Sequence, residues 1–159
     1  LAAVAFLVAT LVDAPAAGAA TTTLTFNEPE KGSTLTYVDV RPTAPTVIGI
    51  PISISPGDEL VLTNRVTERG NVIGELRATC TATTAVAKLT NDAFAQAHFI
   101  CEGVYTLPGG TLFVSARILK SATKGVVTGG DGKYAGARGT FTSKEVKGGA
   151  DTSVDLLSE

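Results

Sequence analysis

The side chains that could carry chemistry in this chain are few, because it has only two cysteines and one histidine. One histidine cannot form a multi-histidine metal site, and the sequence predicts no metal. It contains no CxxC, HExxH, GxSxG or Walker-type motif. Standard hydrolase and nucleotide chemistry therefore has no support in the sequence.

Cys80 and Cys101 form the best-defined candidate pair. A hairpin that pairs them reverses at Thr90 and Asn91, within a polar stretch. Directly opposed residues in a non-hydrogen-bonded antiparallel pair have Cα atoms about 4.5 Å apart, which suits a disulfide. In this register apolar residues share the face of the cysteines, and His98 lies on the charged face. We predict an interior disulfide and a solvent-facing histidine.

Asn64 interrupts an otherwise apolar strand face. Leu60, Leu62, Asn64 and Val66 alternate with more polar neighbours over 59–66. A buried amide without a partner is costly. Asn64 is thus either a core amide satisfied by the protein or a ligand contact.

The direction of Arg117 depends on one turn. A two-residue turn at Pro108 and Gly109 pairs Tyr105 with Leu112 and points Arg117 outward. A one-residue bulge would point Arg117 inward instead, since a slip of one position moves every side chain to the other face. An inward Arg117 would anchor an anionic or carbonyl ligand.

Short alternating runs separated by Gly, Pro, Asn and Asp predict an antiparallel all-β sandwich or barrel. A proline-containing connection covers 42–48, and a helical turn is expected near 91–95. The single predicted domain spans 21–159. The predicted strands are 21–27, 34–41, 49–54, 58–67, 72–86, 94–106, 111–120, 124–128, 135–144 and 152–156.

Residues 1–20 resemble a signal peptide truncated at its start, with an apolar run over 1–12 and small residues at 17–19. Their removal takes away one charge, Asp13, and changes the formal net charge from −2 to −1. We expect a secreted, extracellular protein that binds neither nucleic acid nor, after signal cleavage, membranes. Export also favours the disulfide.

Three segments carry a family resemblance. They are 26–33 (FNEPEKGS), 57–64 (GDELVLTN) and the glycine-rich 127–139 (VTGGDGKYAGARG). In this order they resemble allene oxide cyclases and the wider barrel superfamily that includes dirigent proteins. The resemblance implies a closed antiparallel eight-stranded β-barrel, with extra short strands allowed, around a cavity for a flexible apolar substrate. It implies no cofactor. Because plant members of the family are often trimers, a homo-oligomer is one assembly that the resemblance allows.

The cavity residues of the cyclases carry over in part. Asn27, Ser33, Asn64 and Cys80 match the family pattern, whereas Thr25 stands where the cyclases have a cavity glutamate. Thr34 likewise replaces a proline, and Arg117 falls near a cavity tyrosine.

We expect a barrel that binds a small apolar metabolite and guides its cyclisation or coupling without being a true allene oxide cyclase. If it is an enzyme, it would be an isomerase or cyclase. The alternative is a non-catalytic ligand carrier or extracellular interaction domain. Catalytic residues stay unassigned; the expected ligand-binding residues are Asn27, Ser33, Asn64, Tyr105 and Arg117.

Overall fold

A computed structural model describes residues 21–40, 53–86, 96–119 and 122–157. It contains nine β-strands and one 3-10 helix within those residues. The strands are β1 (Thr21–Pro29), β2 (Thr34–Val38), β3 (Glu59–Glu68), β4 (Asn71–Ala82), β5 (His98–Leu107), β6 (Gly110–Leu119), β7 (Ala122–Gly130), β8 (Gly139–Val146) and β9 (Gly149–Leu157).

Eight of these strands close into a barrel. They pair antiparallel in the order β1, β9, β8, β7, β6, β5, β4, β3, and Asn27 of β1 pairs with Thr67 of β3 to complete the ring. β2 is the extra strand and pairs with the first half of β3, from Glu59 to Thr63. The predicted closed eight-stranded antiparallel barrel is confirmed.

Period-two alternation builds the interior. Side chains of a strand point to opposite faces in turn, so Leu60 and Val66 of β3 are buried while Val61 is exposed. The largest fully buried side chains include Tyr105, Phe99 and Leu112.

The central hairpin has the predicted register. Cys80 pairs with Cys101 across β4 and β5, and the two form a disulfide. Phe99 and Tyr105 are buried on the same face, and His98 is exposed. The predicted disulfide is confirmed.

The β5–β6 connection is the tight two-residue turn at Pro108 and Gly109, with Leu107 paired to Gly110. Gly109 has a φ of 93°, a conformation that glycine adopts without steric cost. Tyr105 therefore pairs with Leu112.

The glycine-rich segment differs from its prediction. Gly132–Tyr134 is a 3-10 helix, and β8 begins at Gly139 rather than at residue 135. Gly132 and Gly136 have φ values of 56° and 76°, so the chain turns through this segment before it can extend.

Several sequence predictions lie outside the described residues: the signal peptide at 1–20, the connection at 42–48, the helical turn near 91–95 and most of the strand at 49–54. At the end of that strand, Ile54 makes an isolated bridge to Val86. No helix in the described part of the chain has the length and apolar character needed to cross a membrane.

Candidate functional site

The barrel encloses an interior cavity of about 210 Å³. This is below the roughly 300 Å³ at which typical small-molecule sites begin, so it suits a compact ligand or one end of a longer one. The lining is mostly apolar. The residues that line it are Glu28, Leu62, Asn64, Leu76, Ala78, Cys80, Cys101, Gly103, Tyr105, Val114, Ala116, Ile118, Thr123, Phe141, Ser143, Glu145 and Ala150.

Small side chains on neighbouring strands create this space. Ala78 of β4 pairs with Gly103 of β5, and Ala116 of β6 pairs with Cys101. A Cβ added at Gly103 would lie 3.2 Å from the Ala78 Cβ and 3.2 Å from Val114 Cγ2. The cavity volume therefore depends on the absence of a side chain at Gly103.

Glu28 is the main polar group of the cavity. Its side chain is 5% exposed and accepts three hydrogen bonds. Oε1 accepts from the Tyr105 hydroxyl at 2.8 Å and the Thr152 hydroxyl at 2.7 Å, and Oε2 accepts from Asn64 Nδ2 at 2.9 Å. All three contacts use the carboxylate as an acceptor, the role of its ionised form.

The pleat of β1 determines which of its residues reach the cavity. Phe26 and Glu28 are buried. Thr25, which precedes Phe26, and Asn27, which lies between Phe26 and Glu28, are exposed. The Asn27 amide donates to Asp151 on the outer face of the neighbouring strand. The pleat thus places the carboxylate of Glu28, three positions after Thr25, in the interior.

Tyr105 connects two walls of the barrel. Around the ring, β5 lies three strands from β1 by way of β3 and β4 and five strands from it in the other direction, so the Tyr105 hydroxyl crosses the lumen to reach Glu28. Its ring packs between Phe26, at a centroid distance of 5.1 Å, and Phe141, at 6.3 Å. Burial, with the adjacent Glu28 carboxylate, raises the pKa of Tyr105 well above its usual value, so this phenol stays a hydrogen-bond donor at neutral pH.

Thr152 extends the polar cluster toward the cavity. Its hydroxyl lies 2.7 Å from Glu28 Oε1 and 2.9 Å from the Ser143 hydroxyl. A hydroxyl has one proton, so when Thr152 donates to Glu28 it accepts from Ser143. Ser143 lines the cavity, which makes the chain of contacts continuous from the lumen to the carboxylate.

The five ligand-binding residues expected from sequence separate into two groups. Asn64 and Tyr105 line the cavity and both contact Glu28. Asn27 lies on the outer face of β1, and the Ser33 hydroxyl donates to the Pro29 carbonyl in the turn that follows it. Arg117 is exposed on β6, because the two-residue turn points Ala116 inward instead.

Glu28 and Thr152 are the residues that the sequence analysis missed. The available signal was the alternation of Leu24 and Phe26, which places Glu28 on the same face. Thr152 gave no comparable signal, since threonine is common on both faces of this sheet. Among the described residues, no group of three or more His, Cys, Asp or Glu side chains is placed to hold a metal ion.

The sequence matches no family model and no curated protein. Solved structures with similar folds include pyocyanin demethylase, at a TM-score of 0.59 and 21% identity over 87% of this chain and 100% of that chain. A pterocarpan synthase dirigent protein has a TM-score of 0.56 and 17% identity over 95% and 94% of the two chains. A Diels-Alderase from Streptomyces koyangensis has a TM-score of 0.58 and 16% identity over 91% and 71%.

These similarities show the fold. The chain is a barrel of the kind shared by dirigent proteins and cyclases, and the fold expected from the sequence resemblance is confirmed.

Proposed function

We propose that this protein binds a small, mostly apolar molecule inside the barrel and guides its cyclisation or coupling. The observation that carries the proposal is the apolar cavity of about 210 Å³ with a single cluster of buried polar groups around Glu28. An apolar cavity with a few converging polar groups is the usual form of a small-molecule site.

The similar structures support this class of function. A Diels-Alderase and a pterocarpan synthase dirigent protein share the fold, and both names denote proteins of ring formation or coupling. Their low identity to this chain leaves the substrate undefined, so the cavity residues carry the chemical argument.

In the proposed mechanism the apolar walls fold the substrate into a reactive conformation. Restricting a flexible molecule in this way lowers the entropic part of the barrier to ring closure. Glu28, already held by three donors, would stabilise positive charge that develops on the reacting centre without first reorganising. Tyr105 and Asn64 position the carboxylate, and no cofactor enters this scheme.

A non-catalytic carrier is the second candidate. The specific observation in its favour is that Glu28 already accepts three hydrogen bonds from protein groups. Such a cluster can be wholly structural, in which case the cavity would hold a ligand without changing it. An extracellular interaction domain, which acts through the outer wall, would need no ligand in the cavity at all.

The proposal also places the protein outside the cytoplasm. The Cys80–Cys101 disulfide fits an oxidising compartment, and residues 1–20 have the sequence pattern of an export signal. A homo-oligomer is compatible with this proposal and is tested by the mass of the native protein.

Native mass spectrometry of protein purified from its own culture medium tests the proposal. We expect a non-covalently bound small molecule that is lost on denaturation. Ring closure by isomerisation leaves the mass of a substrate unchanged, whereas coupling joins two molecules and changes it. Chromatography with mass detection before and after incubation with protein therefore separates an enzyme from a carrier. Conversion at a rate above the protein-free control supports the enzyme.

Two results would count against the proposal that the barrel binds a small molecule and guides its cyclisation or coupling. Recovery of an unchanged ligand after prolonged incubation would favour the carrier. Protein that carries no molecule, and that also binds none in a screen of small apolar compounds, would favour the interaction domain.

A further inference from the structure

We infer that the molecule bound in the barrel carries a positive charge, so that the site selects compact organic cations over neutral molecules and rejects anions. This inference rests on the function proposed above and names the class of ligand. It follows from the charges and rings that face the cavity.

The charged groups that line the cavity are all acidic. Glu28 lies in its wall and Glu145 at its rim, and the described lining contains no lysine, arginine or histidine. The exposed basic residues Arg117, Lys124 and Lys144 each lie next to cavity-lining residues along their strands, so they point away from the lumen, and Lys147 lies in the turn between β8 and β9. The cavity is therefore negative when Glu28 and Glu145 are ionised.

Within the part of the chain that the structure describes, Glu28 forms no ion pair. Its three hydrogen-bond partners, Tyr105, Asn64 and Thr152, are neutral donors. A carboxylate has about four acceptor positions, so one remains. A buried charge is best stabilised by an opposite charge at short range, and a cationic ligand would supply it.

Two aromatic rings complete the recognition site. Tyr105 and Phe141 both line the cavity, and their rings stand nearly perpendicular, at 79°. Aromatic faces attract cations, more strongly when water is excluded. Perpendicular rings beside a carboxylate thus favour a cation with a flat or compact apolar body.

Glu145 adds an acidic group at the rim. It is exposed and lines the opening beside Ala150, and Lys147 lies in the turn that joins their two strands. The charge selection therefore depends on the interior carboxylate of Glu28, because electrostatic interactions are stronger where water is excluded. Anionic ligands such as fatty-acid carboxylates would be repelled from the lumen by this carboxylate.

A ligand series of matched shape tests the inference. Isothermal titration calorimetry at pH 8 compares 1-methylquinolinium, which is cationic, with neutral 4-methylquinoline and anionic quinoline-4-carboxylate. We expect the cation to bind about tenfold or more tightly than the neutral compound, and the anion to show no binding.

Variants locate the source of the preference. In Glu28→Gln the ratio of cation to neutral affinity should fall several-fold toward one, because the interior charge is lost while the aromatic rings remain. Glu102→Gln is the matched control, because it removes one negative charge from the outer wall, where Glu102 contacts Ser115; its ratio should equal that of the wild type. If Glu28→Gln does not fold, the wild-type ligand series still tests the charge preference. Tyr105→Phe keeps the carboxylate, so it should keep the preference for the cation.

The outcomes separate this inference from the proposed function. Equal or tighter binding of the neutral or anionic compound overturns the charge preference and leaves a small-molecule barrel intact. Failure of all three compounds to bind at millimolar concentration also overturns it, whereas the proposed function then depends on the molecule recovered by native mass spectrometry. A ratio in Glu28→Gln equal to that of the wild type would assign the preference to a group other than Glu28 and contradict the argument.

Discussion

The hydroxyl of Tyr105 donates a 2.8 Å hydrogen bond to Glu28 Oε1 across the barrel lumen. The two residues are 77 positions apart in the chain and lie on strands that are not neighbours in the ring. This contact joins a buried carboxylate to the aromatic core. It organises the polar side of the cavity and leads to the following predictions.

The Glu28 cluster should contribute measurably to stability. Tyr105→Phe and Thr152→Val each remove one donor to Oε1, and hydrogen bonds to charged groups contribute about 1.5–3 kcal/mol. We expect each variant to lower the free energy of unfolding in urea by about that amount. Because both donors share one oxygen, the double variant should depart from additivity by at least about 0.5 kcal/mol.

Thr23→Val is the matched control for this pair. The Thr23 hydroxyl bonds Asp155 on the exposed outer face, so its loss should change stability by no more than about 0.5 kcal/mol. Equal losses of stability in Thr23→Val and Thr152→Val would show that the buried cluster stabilises the fold no more than an exposed hydrogen bond does.

Stability should decline at alkaline pH. Burial and Glu28 raise the pKa of Tyr105, and burial and Asp58 raise that of Tyr37, whereas unfolded tyrosines titrate near about 10. Above that pH the unfolded chain loses phenol protons that the folded state keeps, so unfolding is favoured progressively. The stabilisation is fully present below about pH 10 and declines above it.

Urea unfolding at a series of pH values checks this expectation. The difference in stability between wild type and Tyr105→Phe should be constant near neutral pH and should narrow above about pH 10. A difference that stays constant into the strongly alkaline range would mean that Tyr105 titrates alike in both states.

The disulfide should stabilise the barrel substantially. Cys80 and Cys101 close a segment with a sequence separation of 21, for which chain-entropy estimates give about 3 kcal/mol. We expect the double variant Cys80→Ala/Cys101→Ala to lose about that much stability on urea unfolding. A thiol assay on denatured, unreduced wild type should find no thiols, and the detection of two would contradict the bridge.

Filling part of the cavity should weaken ligand binding without unfolding the protein. Ala78→Val adds two methyl groups beside Gly103, where the lining is apolar and half-buried. Binding of the recovered ligand should weaken at least about tenfold, since a volume of this size is comparable to part of a small ligand. Thr79→Val, one position along on the exposed outer face, is the control; if it weakens binding equally, the ligand lies elsewhere.

Arg117 should be dispensable for binding. Its side chain is exposed, and the inward position beside it belongs to Ala116. Arg117→Ala should leave ligand affinity within about twofold of wild type and stability within about 0.5 kcal/mol. A large loss of affinity, measured by isothermal titration calorimetry, would instead support the register in which Arg117 points into the barrel.

Local features of this fold were predictable because they depend on near neighbours in the chain. The Cys80–Cys101 register follows from one hairpin and period-two alternation, and the structure reproduces it. The segment 131–138 was harder, because consecutive glycines permit both an extended strand and a turn. Its 3-10 helix stands against Gly109, whose carbonyl accepts from the Lys133 amide, a contact that the local sequence does not specify.

The candidate site was only half predictable. Asn64 stood out because it breaks an apolar strand face, and its need for a partner was correctly anticipated. The identity of that partner, Glu28, was not, since residues 36 positions apart meet only when β1 closes the barrel against β3. Thr25 and Asn27 were assigned by resemblance, and the pleat of β1 places both outside.

The sequence by itself indicated most of the strands and turns and the disulfide register, because alternation and turn chemistry act between residues close along the chain. The closed barrel was implied by the resemblance to the cyclase and dirigent families, since alternation alone fits a sandwich as well. Only the tertiary structure decided which polar groups share the interior. Closure of the ring brings Glu28, Asn64, Tyr105 and Thr152 together from four different strands. Such a meeting depends on the stagger and diameter of the closed barrel, which no single segment encodes.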